Sequence, residues 1–94
     1  MSVEEIINSG QGTIVDVRTP MEFMGGAVAD SKNIPLDQVM SRMEELKSLA
    51  QPLVLVCASG NRSGMAQQYL SKQGFECHNG GSWLNVNYLV AQKA

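Results

Sequence analysis

The chemistry of this sequence centres on a cysteine that closes an apolar run and is followed by a short polar loop ending in an arginine. Residues 53–56 are continuously apolar, and Cys57 then leads into Ala58, Ser59, Gly60, Asn61, Arg62 and Ser63. If the run is a strand and a helix follows the loop, backbone N–H groups and the positive end of the helix dipole converge on one sulfur. Such convergence lowers a thiol pKa and makes a nucleophile. A purely structural cysteine would sit inside the apolar run, among the residue types most often buried; this one sits where the run stops. Arg62 is the only charged residue between Ser48 and Ser71. No acidic residue near it in sequence neutralises it, and a cation at a helix start works against the dipole. An anionic substrate is therefore its expected partner.

The elements that must position this loop are readable from pattern. Ser2 with Glu5 forms a capping box opening a short helix through Ile6 and Ile7, stopped at Gly10 or Gly12. A strand is expected over 13–17 and a second short one within 28–34. Pro35 then sets up a helix over 36–49 whose apolar face is Leu36, Val39, Met40, Met43, Leu46 and Ala50. The run 53–56 is short and wholly apolar, which suits a strand buried on both faces of a parallel sheet. A helix over 62–73 carries Met65, Ala66, Tyr69 and Leu70, with Gly74 as its left-handed terminator. A last strand is expected over 75–78, a turn at Asn79-Gly80-Gly81, and a terminal helix capped by Ser82 and containing Trp83, Leu84, Tyr88 and Leu89. Alternating strands and helices of these lengths predict an α/β fold with a mostly parallel sheet and helices on both faces. Ligands in such sheets bind at the carboxyl ends of the strands, where Cys57 falls.

Composition narrows the function classes. The 94 residues suit one domain spanning 1–94, and with 44% hydrophobic and 17% charged residues they describe an ordinary globule. A net charge of -2 gives no electrostatic reason for a nucleic-acid or anionic-membrane partner. The N-terminus lacks the positive start and apolar stretch of a leader, and no apolar run reaches spanning length, so a cytoplasmic location is expected. Cys57 and Cys77 are expected as free thiols, and with His78 the only histidine no zinc pattern forms. No metal or cofactor is expected. Cys77 reads as packed in its strand, His78 as solvated, and Met40, Met43 and Met65 as core filler. Asp16 and Arg18 lie at a strand end beside the loop and read as supporting residues, Arg18 pairing with Glu22 and Asp16 accepting loop hydrogen bonds.

Several motifs together resemble a known family. Ile14-Val15-Asp16-Val17-Arg18 with Glu22-Phe23, then Asn33-Ile34-Pro35, the loop Cys57 to Ser63, and Gly80-Gly81 with Trp83 resemble, in order, the landmarks of a single-domain rhodanese. Gly25-Gly26-Ala27-Val28 and Ala29-Asp30-Ser31-Lys32 depart from the family's Gly-His-Ile and Gly-Ala, implying a local rearrangement there. The resemblance implies a three-layer α/β/α fold with four to five strands, and a sulfurtransferase that carries sulfur as a persulfide on Cys57. It also implies a small anionic donor such as thiosulfate and an acceptor that is cyanide, a thiol or a protein. The N–H groups of Ala58 through Ser63 would then stabilise the negative sulfur. Two other classes compete. Phosphatases and arsenate reductases that share this fold hold five residues between cysteine and arginine, against four here, and usually have histidine where this chain has Val56. Rhodanese-like docking or regulatory modules have lost the cysteine, whereas this chain keeps both Cys57 and Arg62.

Overall fold

A computed structural model describes residues 1–93. The chain runs α1 (Val3–Ser9), β1 (Thr13–Asp16), α2 (Pro20–Met24), β2 (Lys32–Asn33), two 3₁₀ turns (Leu36–Gln38 and Met40–Arg42), α3 (Met43–Lys47), β3 (Leu53–Cys57), α4 (Asn61–Lys72), β4 (Cys77–Ser82) and α5 (Trp83–Gln92). The capping box at Ser2 and Glu5 closes both ways, and Gly10 ends α1. The four strands are all parallel, in the order β2-β1-β3-β4.

Helices cover both faces of the sheet. On one face Val15, Val17, Leu53, Leu55 and Cys57 pack with Val39, Leu46, Ala66 and Leu70. On the other, Val54 and Val56 pack with Ile6 and Ile7 of α1, Val86 of α5, and Val28. Every residue of β3 is buried, because its side chains alternate between these two cores. That central strand delivers Cys57 to the carboxyl edge of the sheet, between β1 and β4.

Three elements differ from the pattern-based expectation. The helix expected over 36–49 is two 3₁₀ turns and a short α3; at three residues per turn its phase drifts, so Met40 is 69% exposed while Val39 and Leu46 are buried. On α4 the buried stripe is Ser63, Ala66 and Leu70, which leaves Met65 outside. The terminal helix forms as expected with Ser82 as its cap, and Val86 is buried with Trp83, Leu89 and Val90 against the core of Val54 and Val56, leaving Leu84 and Tyr88 exposed. The last strand begins two residues late and continues through Asn79-Gly80-Gly81, where a turn was expected. The pairing passes from Leu55 with Asn79 to Val56 with Gly81, so a bulge absorbs the extra residue, and Gly81 takes φ 77°. His78, expected to be solvated, is half-buried, and its Nε2 is sealed from solvent without a hydrogen-bond partner among the described residues. No helix among the described residues is long and apolar enough to cross a membrane.

Gly80 is required by space. A Cβ there would lie 2.9 Å from methyls of both Val54 and Val86 and 3.0 Å from one of Val56. Gly80→Ala should therefore overpack the junction of β3, β4 and α5, costing about 1–3 kcal/mol. A urea unfolding midpoint equal to that of the parent would show that the three valines yield without strain.

Candidate active site

Cys57 is the last residue of β3 and is fully buried, and the chain turns over its sulfur into α4. Gly60 makes this turn with φ 97°, a left-handed conformation, and a side chain there would press on Gly81 at 3.3 Å. The turn brings the Gly60 N–H to 3.0 Å from the Cys57 Sγ, while the Ser63 N–H from the first turn of α4 approaches to 3.4 Å. The Ser63 Oγ also lies 3.4 Å from the sulfur. Burial pushes the thiol pKa up; hydrogen bonds to the thiolate form from the Ser63 hydroxyl and from the N–H groups of Ser63, Ser59 and Gly60 outweigh it and bring the group down to about 7. The sulfur sits at the N-terminus of a 12-residue helix, whose dipole acts in the same direction. Ala58, Ser59 and Asn61 are exposed on the outside of this loop, so of the expected cradle residues Gly60, Ser63 and Ser59 are the ones whose N–H groups act on the sulfur.

Arg62 has a protein partner that its sequence neighbourhood does not show. Its two terminal nitrogens donate to the two carboxylate oxygens of Glu22, at 2.7 and 3.0 Å. This pairing replaces the expected one between Glu22 and Arg18. Glu22 is aimed by a second capping box, in which the Thr19 hydroxyl accepts from the Glu22 N–H and Glu22 accepts from the Thr19 N–H, with Pro20 in the first turn of α2. The Arg62 bonds, then those from Thr19, hold the Glu22 carboxyl down at about 2. Thr19-Pro20-Met21-Glu22 was the available sequence signal for this clamp.

Asp16 and Arg18 form a separate, buried pair. The Asp16 carboxylate accepts from the Arg18 backbone N–H, Nε and a terminal nitrogen, at 2.8 to 3.0 Å. Arg18 reaches the carbonyl of Gly26 at 2.7 Å and lies 4.6 Å from the centroid of the Trp83 ring. Its contact with Glu22 is to the backbone carbonyl, not the carboxylate. The pair thus ties the end of β1 to the loop after α2 and the start of α5. Asn33 adds to this knot by donating to the carbonyls of Asp16 and Arg18.

Cys77 is buried in β4, with its sulfur against Ser71 Oγ at 3.3 Å and the Gln67 carbonyl at 3.6 Å, and both cysteines are free. Among the described residues no three His, Cys, Asp or Glu side chains cluster as metal ligands. A shallow depression of about 280 Å³ lined by Val17, Thr19, Leu36 and Asp37 has Arg62 in its wall. A larger cavity of about 380 Å³ lies toward the N-terminal ends of the strands and contains no residue of the cysteine loop.

Residues 2–85 match the family model described as Rhodanese-like domain. Over 73 residues the chain is 40% identical to an uncharacterized protein of Bacillus subtilis, covering 76% of this chain and 57% of that protein. It is 37% identical to a protein of Allochromatium vinosum named sulfurtransferase, over 66% of this chain and 57% of the relative. The chain thus spans a little over half the length of these two relatives. Among solved structures, a rhodanese-related protein from Thermoplasma volcanium superposes with a TM-score of 0.75 at 27% identity, over 93% of this chain and 85% of that one.

The cradle makes a titration prediction. The Cys57 thiolate should appear with a midpoint of about 7 in the folded protein and in the ordinary thiol range in denaturant. Because the folded pKa is depressed, the stabilisation is fully present above the unfolded pKa and is lost as pH falls through about 7. Thiolate absorbance, taken as the difference from Cys57→Ala, checks this; a folded midpoint near 9 would mean that the N–H groups do not act on the sulfur.

Proposed function

The chain belongs to the rhodanese-like family, and from that premise we propose that it is a sulfurtransferase working through a persulfide on Cys57. The observation that carries this reading is that the group held by the converging N–H donors is the cysteine sulfur itself. The A. vinosum relative named sulfurtransferase supports the reaction class.

The reaction proposed is a double displacement. The Cys57 thiolate attacks the outer sulfur of thiosulfate, a new S–S bond forms as the old one breaks, and sulfite leaves with the bonding electron pair. Cyanide or a thiol then attacks the outer sulfur of the persulfide, and Cys57 departs as thiolate. The Gly60 and Ser63 N–H groups stabilise the sulfur whenever it is negative, before attack and again on departure. No net proton or electron is consumed in the transfer to cyanide. A thiolate that exists near neutral pH is also a competent leaving group, which suits a site that must both take up and release sulfur.

Arg62 has a divided role in this proposal. Two of its five N–H donors are committed to Glu22, and the others have no hydrogen-bond partner among the described residues. Glu22 fixes the guanidinium plane and cancels its net charge, so Arg62 contributes directed hydrogen bonds to the donor's oxygens while the loop N–H groups meet the charge. The proposed site of action is the cytoplasm, where small thiols and protein thiols are available as acceptors.

Incubation with thiosulfate should add one sulfur to the intact protein, detected by mass spectrometry, removable by cyanide and absent from Cys57→Ala. Persulfidation that survives in Cys57→Ala would overturn the assignment. Arg62→Ala should raise the KM for thiosulfate about tenfold, the scale of one charge-assisted hydrogen bond, and slow persulfide discharge to cyanide much less. Equal effects on both half-reactions would assign Arg62 to holding the loop instead.

A further inference from the structure

The Ser63 hydroxyl has one proton and two neighbours that compete for it. Ser63 is fully buried, with its Oγ 3.4 Å from Cys57 Sγ and 2.7 Å from the Asn79 Oδ1. The orientation of the Asn79 amide is fixed by its other contacts. Its Oδ1 accepts from the Gly81 N–H at 2.9 Å, and its Nδ2 donates to the Gly60 carbonyl at 3.1 Å. A backbone N–H can only donate and a carbonyl can only accept, so the atom facing Ser63 is an acceptor. The hydroxyl proton therefore lies on the Asn79 side, and Ser63 turns a lone pair toward the sulfur. That arrangement suits a neutral thiol, which can donate its own S–H to Ser63. It opposes a thiolate, which needs the hydroxyl to donate.

We propose that Asn79 is a positioning residue that draws the Ser63 hydroxyl away from Cys57, so that the hydroxyl must leave Asn79 and turn to the sulfur each time the thiolate forms. This rests on Cys57 being the nucleophile of the proposed transfer. On ionisation the thiol proton passes to water, the Ser63 O–H rotates onto the sulfur, and Asn79 Oδ1 keeps its bond from the Gly81 N–H. When the sulfur becomes the neutral inner atom of a persulfide, the hydroxyl returns to Asn79. The same side chain that ties β4 to the loop through Gly60 thus sets how strongly the cradle favours the negative sulfur.

The charged groups around the loop are Arg62 of α4 with Glu22 of α2, and Asp16 at the end of β1 with Arg18 just after it. Among the described residues neither pair hydrogen-bonds to Ser63 or Asn79, and both pairs are unchanged in the variants below.

The test is a thiol titration, which reads Cys57 whether or not sulfur is transferred. Asn79→Ala should lower the Cys57 midpoint by about half a unit to one unit, the scale of one hydrogen bond redirected to the sulfur. In a Ser63→Ala background the same Asn79→Ala change should leave the midpoint where Ser63→Ala alone puts it. Asn79→Asp, which keeps an acceptor facing Ser63 and the Gly81 N–H, should leave the midpoint at or above that of the parent. An equal drop in both backgrounds would make Asn79 a mere brace for the loop and overturn the proposal. So would an unchanged or raised midpoint in Asn79→Ala, or a lowered one in Asn79→Asp. If these shifts occur while thiosulfate adds no sulfur, the transfer reading fails and the Asn79 inference stands.

Discussion

A sulfur at the junction of a buried strand and a helix N-terminus is the constraint on which the structure depends. For the Gly60 and Ser63 N–H groups to reach Cys57, β3 must end and α4 must begin within a few residues, and both must be held at a fixed distance. The strand is held by burial on both faces, with Leu53, Leu55 and Cys57 in one core and Val54 and Val56 in the other. The helix is held by Ala66 and Leu70 against the first of these cores. Backbone dipoles fixed by folding favour a negative sulfur here.

Around that junction the polar groups divide into two tiers. Asp16 and Arg18 are buried and bind each other, a carbonyl and an aromatic face, so they fix where β1 ends and where the following loop lies. A buried pair of this kind holds geometry because removing either partner would leave a desolvated charge. Glu22 and Arg62 are partly exposed, so solvent reaches this pair and not the first. Trp83 and Glu22 connect them, since Arg18 lies over the first and reaches the carbonyl of the second.

Much of the architecture was legible in the sequence. The capping box at Ser2 and Glu5, the wholly apolar 53–56 and the loop residues after Cys57 act through contacts a few residues apart, so their pattern carries the structure. The four parallel strands and the position of Cys57 at their carboxyl edge agree with that reading. The glycine pair was misread because Asn and Gly usually mark turns. Here Gly80 is glycine because three valines from β3 and α5 close on it, and Gly81 because a bulge needs its left-handed φ. Neither reason is local to the sequence.

The helical stripes show the same division. In α5 both Trp83, Val86 and Val90 and the pair Leu84 and Tyr88 have helical spacing, and only the position of the sheet decides which set is buried. The partner of Arg62 lies forty residues away on α2, and the acceptor for Ser63 lies sixteen residues away on β4. By itself the sequence determined that the Cys57 sulfur meets the N–H groups of the loop and which elements carry them, since the cradle is built from backbone groups a few residues apart. The tertiary structure alone decided which side chains neutralise the arginine and accept the serine's hydrogen bond. Those contacts depend on how separate elements are stacked, and stacking is set by the summed packing of the two cores, which no short stretch of sequence encodes.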